Sequence, residues 1–241
     1  MIFKNPAILN LTKCFLSPFL GDKNASMLSL LAWLPGGISD VKKVSINFEM
    51  EGEVAPHLEF LNSAPFAGLE CFFALNAFDR MIFSFVRLQH FSQSIDSSPI
   101  YELTLVRERE DLFQKEIEFM GDVNAKFVLH AGYSRLLRAN FSPVSESKER
   151  RGFFGGTSVS VVQRKESWLM PNKSPSLGAV KGVYPVNFWR SKAVENLLKI
   201  GFKLPSECLG SEGIVCFDEG QQKKISKENP EFSKFIHFDA L

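Results

Sequence analysis

Basic residues and phenylalanines crowd together in the run Lys148-Glu-Arg150-Arg151-Gly152-Phe153-Phe154-Gly155-Gly156. These types suit a phosphate backbone: Arg forks bind phosphate through two parallel hydrogen bonds, glycines allow close approach, and phenyl faces accept unpaired bases. The competing reading is a solvated Arg-rich hairpin; were the run a strand, its two adjacent phenylalanines would point to opposite sides and one would be core. The run belongs to a wider field. Residues 126–203 hold 14 of the 28 Lys and Arg but only four acids, Glu146, Glu149, Glu166 and Glu195, so this third carries +10 inside a chain of net charge +1. A basic stretch this dense points to a polyanionic partner, nucleic acid being the commonest, unless the chain's own acidic regions neutralise it. Arg135 and Arg138, three residues apart, would share a helical face, and Arg164, Lys165, Lys181 and Arg190 would extend the track.

Other chemistries lack their motifs. There is no Walker sequence, and Gly152-Phe-Phe-Gly155-Gly156 has neither the spacing nor the strand-to-helix setting of a dinucleotide loop. Nucleophile-elbow, kinase and HExxH patterns are missing as well. Cys14, Cys71, Cys208 and Cys216 are scattered in a chain large enough to need no disulfide framework, and Cys208 and Cys216 match no zinc spacing, so neither a metal nor a cofactor is expected. Metal-free RNA cleavage stays open: a base takes the 2′-hydroxyl proton, the oxygen attacks the adjacent phosphate, and a cation stabilises the developing charge. Among the four histidines, His57 follows the clearest strand and is the best candidate base, set against an exposed turn histidine after Pro56. Tyr133 and Tyr184 are undistinguished alternatives.

The elements that must position these residues alternate between two periods. Val44, Ile46, Phe48 and Met50 interleave with polar residues, the signature of a half-buried strand. The Ala-, Leu- and Phe-rich run 66–78 reads as a buried helix, and 81–87 and 100–106 read as strands. Residues 112–120 fit helix or ribbon; 126–130, 157–163, 183–188, 214–217 and 235–238 fit strands. Ser191 is a candidate N-cap for a helix with Val194, Leu197 and Leu198 on one face, ended by Gly201. Residues 1–40 are apolar but irregular, with a short buried helix at 27–34 before Pro35-Gly36-Gly37, and 218–230 is a polar connection. Two β-α-β blocks on mainly antiparallel sheets follow: an α+β chain of two ferredoxin-like units, 41–130 and 131–241, behind an N-terminal extension, 1–40.

With 241 residues, 45% hydrophobic and 23% charged, the chain reads as a globular protein without an apolar run of membrane-spanning length. The start, Met1-Ile2-Phe3-Lys4-Asn5-Pro6, lacks the pattern of a secretory signal, so a cytoplasmic location is expected. Its 24 phenylalanines imply large buried areas.

Near the C-terminus, Lys181-Gly182-Val-Tyr-Pro-Val-Asn-Phe188, the helix 191–200, and Gly201-Phe-Lys-Leu-Pro-Ser-Glu-Cys-Leu-Gly210-Ser-Glu-Gly213-Ile-Val form a strand, helix, glycine-rich loop and strand. This order resembles the tail of CRISPR-associated RAMP proteins, although the paired Gly-x-Gly elements of that superfamily are interrupted here. The resemblance implies ferredoxin-like folds that bind or process CRISPR RNA, with Gly201, Gly210 and Gly213 in a loop against the RNA backbone. It also implies a catalytic histidine in the first unit, falling at His57 if Val44–Met50 is that unit's first strand. The expected function is therefore RNA binding, to a CRISPR RNA hairpin or handle, with metal-independent endoribonuclease activity left open and other subunits of a ribonucleoprotein complex as partners. The alternative is a non-enzymatic interaction protein, of immunity or inhibitor type, that recognises an acidic protein surface by charge complementarity.

Overall fold

The computed structural model describes residues 8–17, 43–46, 50–52, 71–74, 85–93, 99–108, 113–138, 145–151, 157–163, 168–170, 174–208 and 213–236. In chain order the elements are β1 (Ile8–Ser17), β2 (Lys43–Ile46), β3 (Met50–Gly52), β4 (Cys71–Ala74), β5 (Phe85–Gln93), β6 (Pro99–Glu108), α1 (Gln114–Lys126), β7 (Val128–Arg138), β8 (Ser145–Arg151), β9 (Thr157–Gln163), β10 (Val186–Trp189), α2 (Ser191–Lys199), β11 (Gly213–Cys216) and α3 (Glu219–Glu228). Nine strands form one sheet in the order β11-β10-β7-β1-β6-β5-β4-β2-β3, every ladder antiparallel, and β8 and β9 pair as a separate hairpin. The fold is α+β, and the single sheet takes strands from all three stretches into which the sequence divides.

β1 lies inside the sheet, fourth of its nine strands. Its flanking strands β6 and β7 both run antiparallel to it and hence parallel to each other, and α1 joins them in a β-α-β crossover. Residues 8–17 are thus a ten-residue central strand where irregular chain was expected. The sequence carries the signal: Leu9, Leu11, Lys13 and Phe15 alternate with Asn10, Thr12 and Cys14. Both rows are buried, however, so the usual apolar-in, polar-out contrast is blurred.

Several other expectations change. The strand over Val44–Met50 is two short strands, β2 and β3, paired to each other. Within the run expected to be a buried helix, Cys71–Ala74 is a strand bonded to β2 on one side and β5 on the other. Ala, Leu and Phe serve either state when buried, and pairing on both edges decided it. Residues 114–126 resolve the helix-or-ribbon choice as helix, and the strand expected at 126–130 begins two residues later and runs to Arg138. The expected short helix at 27–34 lies outside the described residues.

At the C-terminal end, α2 buries Ala193, Val194 and Leu197, while Leu198, expected on that face, is 46% exposed. Ser191 is the first helical residue; Arg190 holds the cap position, with no side-chain cap bond. The helix stops as expected at Gly201 (φ 81°), where Gly201 N–H donates to Leu198 O and Phe202 N–H to Leu197 O, the paired bonds of a Schellman motif. The polar run after Asp218 is helix α3, not a connection. Its capping box was legible in Asp218-Glu-Gly-Gln221: the Asp218 carboxylate accepts from Gln221 N–H (2.7 Å) and the Gln221 side-chain oxygen accepts from Asp218 N–H (2.9 Å). Instead of a closing strand, Pro230–Phe235 is a 3-10 helix, and Ile236 makes a single bridge to Val183.

These pieces share a core of Leu169, Val183, Trp189, Leu197, Phe202, Phe217, Ile225 and Phe235. Buried Asn229 ties it together: its Oδ1 accepts from Lys203 N–H (2.7 Å), and its Nδ2 donates to the carbonyls of Lys203 (2.9 Å) and Ile225 (2.8 Å). Gly178 (φ 74°) passes against the start of α2 so closely that a Cβ would lie 2.8 Å from the Lys192 carbonyl carbon. The Asn196 side chain donates to the carbonyls of Leu177 and Gly178, fixing this approach.

Candidate nucleic-acid interface

The central strands turn two different faces outward. One lies under α1: a Cβ at Gly132 would lie 3.6 Å from Met120 Sδ. On the other, strand alternation aligns Leu9, Leu11, Lys13 and Phe15 of β1 with Leu137, Arg135, Tyr133 and Ala131 of β7. Lys13 Nζ sits 3.0 Å from Glu102 Oε1, both side chains about nine-tenths buried, and Thr104 Oγ1 donates to the same carboxylate at 3.2 Å. The ion pair is a desolvated one, in which each charge makes the burial of the other tolerable.

Beside it lies a cluster of aromatics and cations. Asn187 on β10 pairs with Tyr133 across the ladder, and the Tyr184 ring stacks on Tyr133 with centroids 4.0 Å apart and planes inclined by 11°. The Arg135 guanidinium carbon is 5.9 Å from the Tyr184 centroid, and Lys181 Nζ lies 4.2 Å from the Trp168 centroid. Both are within cation–π range. Phe15, Phe91 and Trp168 pack in a triad with centroids 4.9–5.8 Å apart. A narrow cleft runs between these groups, lined by Phe15, Tyr133, Trp168, Lys181, Tyr184 and Asn187 among others. Tyr133, Lys181 and Tyr184 are buried; Trp168 in the lining is partly exposed, as are Arg135 beside Tyr184 and Phe91 beside Trp168.

The structure therefore unites part of the expected track. Arg135 and Lys181 belong to this cluster. Arg138 lies with Arg135 on strand β7, not on a helix, so the shared helical face does not exist. Arg190 donates from Nε to the Leu129 carbonyl (2.8 Å), which pins the start of α2 to β7. Lys148, Arg150 and Arg151 are on strand β8, where a loop was expected; their ladder partners are Ser160, Ser158 and Thr157. Gly201 caps α2, and Gly213 (φ 115°) opens β11; a Cβ at either would meet nothing within 4 Å. His57, Phe153, Phe154, Arg164, Lys165 and Gly210 lie outside the described residues. The premise that led to His57, that Val44–Met50 is the first strand, gives way to β1.

Lys13, Glu102, Trp168 and Asn187 escaped the sequence reading. The alternation of β1 was the available signal for Lys13; nothing local marks the others, which meet only through strand pairing. Burial pushes the Cys14 thiol up to about 12 and raises that of Cys216. Among the described residues no three His, Cys, Asp or Glu side chains group as a metal site, and no helix is long and apolar enough to cross a membrane. Comparisons with protein-family models, curated proteins and solved structures found no match for this chain.

Proposed function

We propose that the chain is an RNA-binding protein of RAMP type that holds a CRISPR RNA, at its hairpin or handle, within a ribonucleoprotein complex. One observation carries the reading: on a single sheet face, cations and stacked aromatics interleave as Arg135–Tyr184–Tyr133 and Lys181–Trp168, all drawn from the basic segment. Arginine beside a ring is a common device at nucleotide sites; here the buried Tyr133 and Tyr184 rings back the partly exposed Arg135, whose charge meets phosphate, and the partly exposed Trp168 is the ring for a base. The strand order lends support. A β5–β6 hairpin, the α1 crossover and β7 on the far side of β1 make a split β-α-β arrangement, the strand order that the ferredoxin-like reading calls for.

The test is a titration of nuclease-treated, high-salt-purified protein with labelled hairpin RNA carrying an unpaired tail, without divalent metal. A shift that weakens linearly with log salt is expected, and Arg135→Ala should lower the slope by about 0.7–0.9 for one lost phosphate. A discrete product would add endoribonuclease activity, with His57→Ala as the variant to abolish cleavage while sparing binding. No shift at low salt overturns the RNA reading and favours the alternative, an acidic protein partner.

A further inference from the structure

Asn187 is fully buried on β10, and both ends of its amide are spent on one neighbour: Oδ1 accepts from Tyr184 N–H (3.0 Å) and Nδ2 donates to Tyr184 C=O (2.6 Å). A side chain that satisfies both backbone groups of another residue fixes that residue's position, because either group left buried and unmet would be costly. The residue it fixes is the one whose ring stacks on Tyr133 and lies beside Arg135. Pro185 follows directly, restricting the same turn further. We infer that Asn187 is a positioning residue for RNA: it locks the Tyr184 ring onto Tyr133, and that ring in turn backs the partly exposed Arg135 guanidinium, the group that meets phosphate. The inference rests on the RNA-binding reading and names the part of the fold that makes Arg135 ready for its ligand.

The experiment is the same RNA titration at several salt concentrations, run on the full chain with Tyr184→Phe, Tyr184→Leu and Asn187→Leu. Tyr184→Phe keeps the ring and should lose less affinity than Tyr184→Leu. Tyr184→Leu keeps the clamp but removes the ring; it should lose roughly tenfold in affinity. Its salt slope should fall by about 0.7, because Arg135 then no longer meets its phosphate. Asn187→Leu adds no charge and should reproduce both changes while near-ultraviolet circular dichroism reports a loosened tyrosine pair. If that variant does not fold, Asn187→Ser, whose hydroxyl is too short to span both groups, takes its place. Parent-like affinity and slope in Tyr184→Leu, with Arg135→Ala still impaired, would overturn the platform and leave RNA binding standing. Impairment in Tyr184→Leu but not in either Asn187 variant would remove Asn187 from the role. A parent protein that binds no RNA would sink the functional reading itself.

Discussion

Two faces of the same central strands solve burial in opposite ways. At the middle of β1 and β7, on the face under α1, the polar groups Thr12, Cys14 and Ser134 are small and neutral. Ser134 Oγ donates to the Leu11 carbonyl (3.2 Å), so the Thr12 hydroxyl, 3.0 Å from Ser134 Oγ, is the donor of that pair, and Cys14 beside them stays a protonated thiol. On the far face the same strands carry Lys13, Tyr133 and Arg135, with a full ion pair to Glu102 and rings that cover the cations. Neutral hydroxyls suit a face sealed by a helix, where desolvating a charge would be expensive. On the far face each cation has a carboxylate or a ring beside it, which offsets the cost of desolvating it. The lesson is that one strand can serve core and site together by alternation alone.

The comparison breaks most sharply at Glu102. Glu102→Leu leaves the Lys13 ammonium buried without that carboxylate, and about 3 kcal/mol of stability should be lost in urea unfolding. Next is the helix side, where Gly132 leaves room for α1: a Cβ there is already 3.3 Å from the Lys13 carbonyl oxygen and 3.4 Å from Phe188 Cβ. Gly132→Val should cost about 2 kcal/mol by overpacking, with a lower urea midpoint and an unchanged m-value.

Cys14 sharpens the contrast through pH. Its thiol titrates near 12 when folded and near its ordinary value of 9 when unfolded. Between those values the unfolded chain has released the proton and the folded one has not, so this group's effect is to lower stability as pH rises above 9. The expected slope is about 1.4 kcal/mol per pH unit, and it should vanish from urea titrations of Cys14→Ala. Smallest is Thr12→Val, which removes one hydroxyl pair while Ser134 keeps its carbonyl acceptor; about 1 kcal/mol should go in urea unfolding.

Elements with their own local code were legible in the sequence. The strand at 100–106, the strand at 157–163 and the stop at Gly201 carry their reasons in adjacent residues: alternation, β-branching, and a glycine that accepts positive φ. The capping box of α3 is equally local, set in a run whose polarity reads as a connection. Where burial on both faces erased the period, as in β1, or where pairing on both edges overrode composition, as in β4, the sequence misled. The basic segment was visible as a run of charge, but not which of its members would meet. Arg135 and Lys181 are 46 positions apart, and Lys13 is 89 positions from Glu102; the register of β1 against β6 brings Lys13 to Glu102, and the segment before β10 brings Lys181 and Tyr184 to the face that carries Arg135.

The sequence by itself determined the charge of residues 126–203, the helix ends that carry their own caps, and the supply of rings, since these depend on residue types and short spacings alone. Tertiary structure decided that β1 is central, that Glu102 answers Lys13, and that Asn187 holds Tyr184 on Tyr133. Those outcomes depend on which distant strands pair and in what register, and a shift of one residue would turn every one of those side chains to the other face.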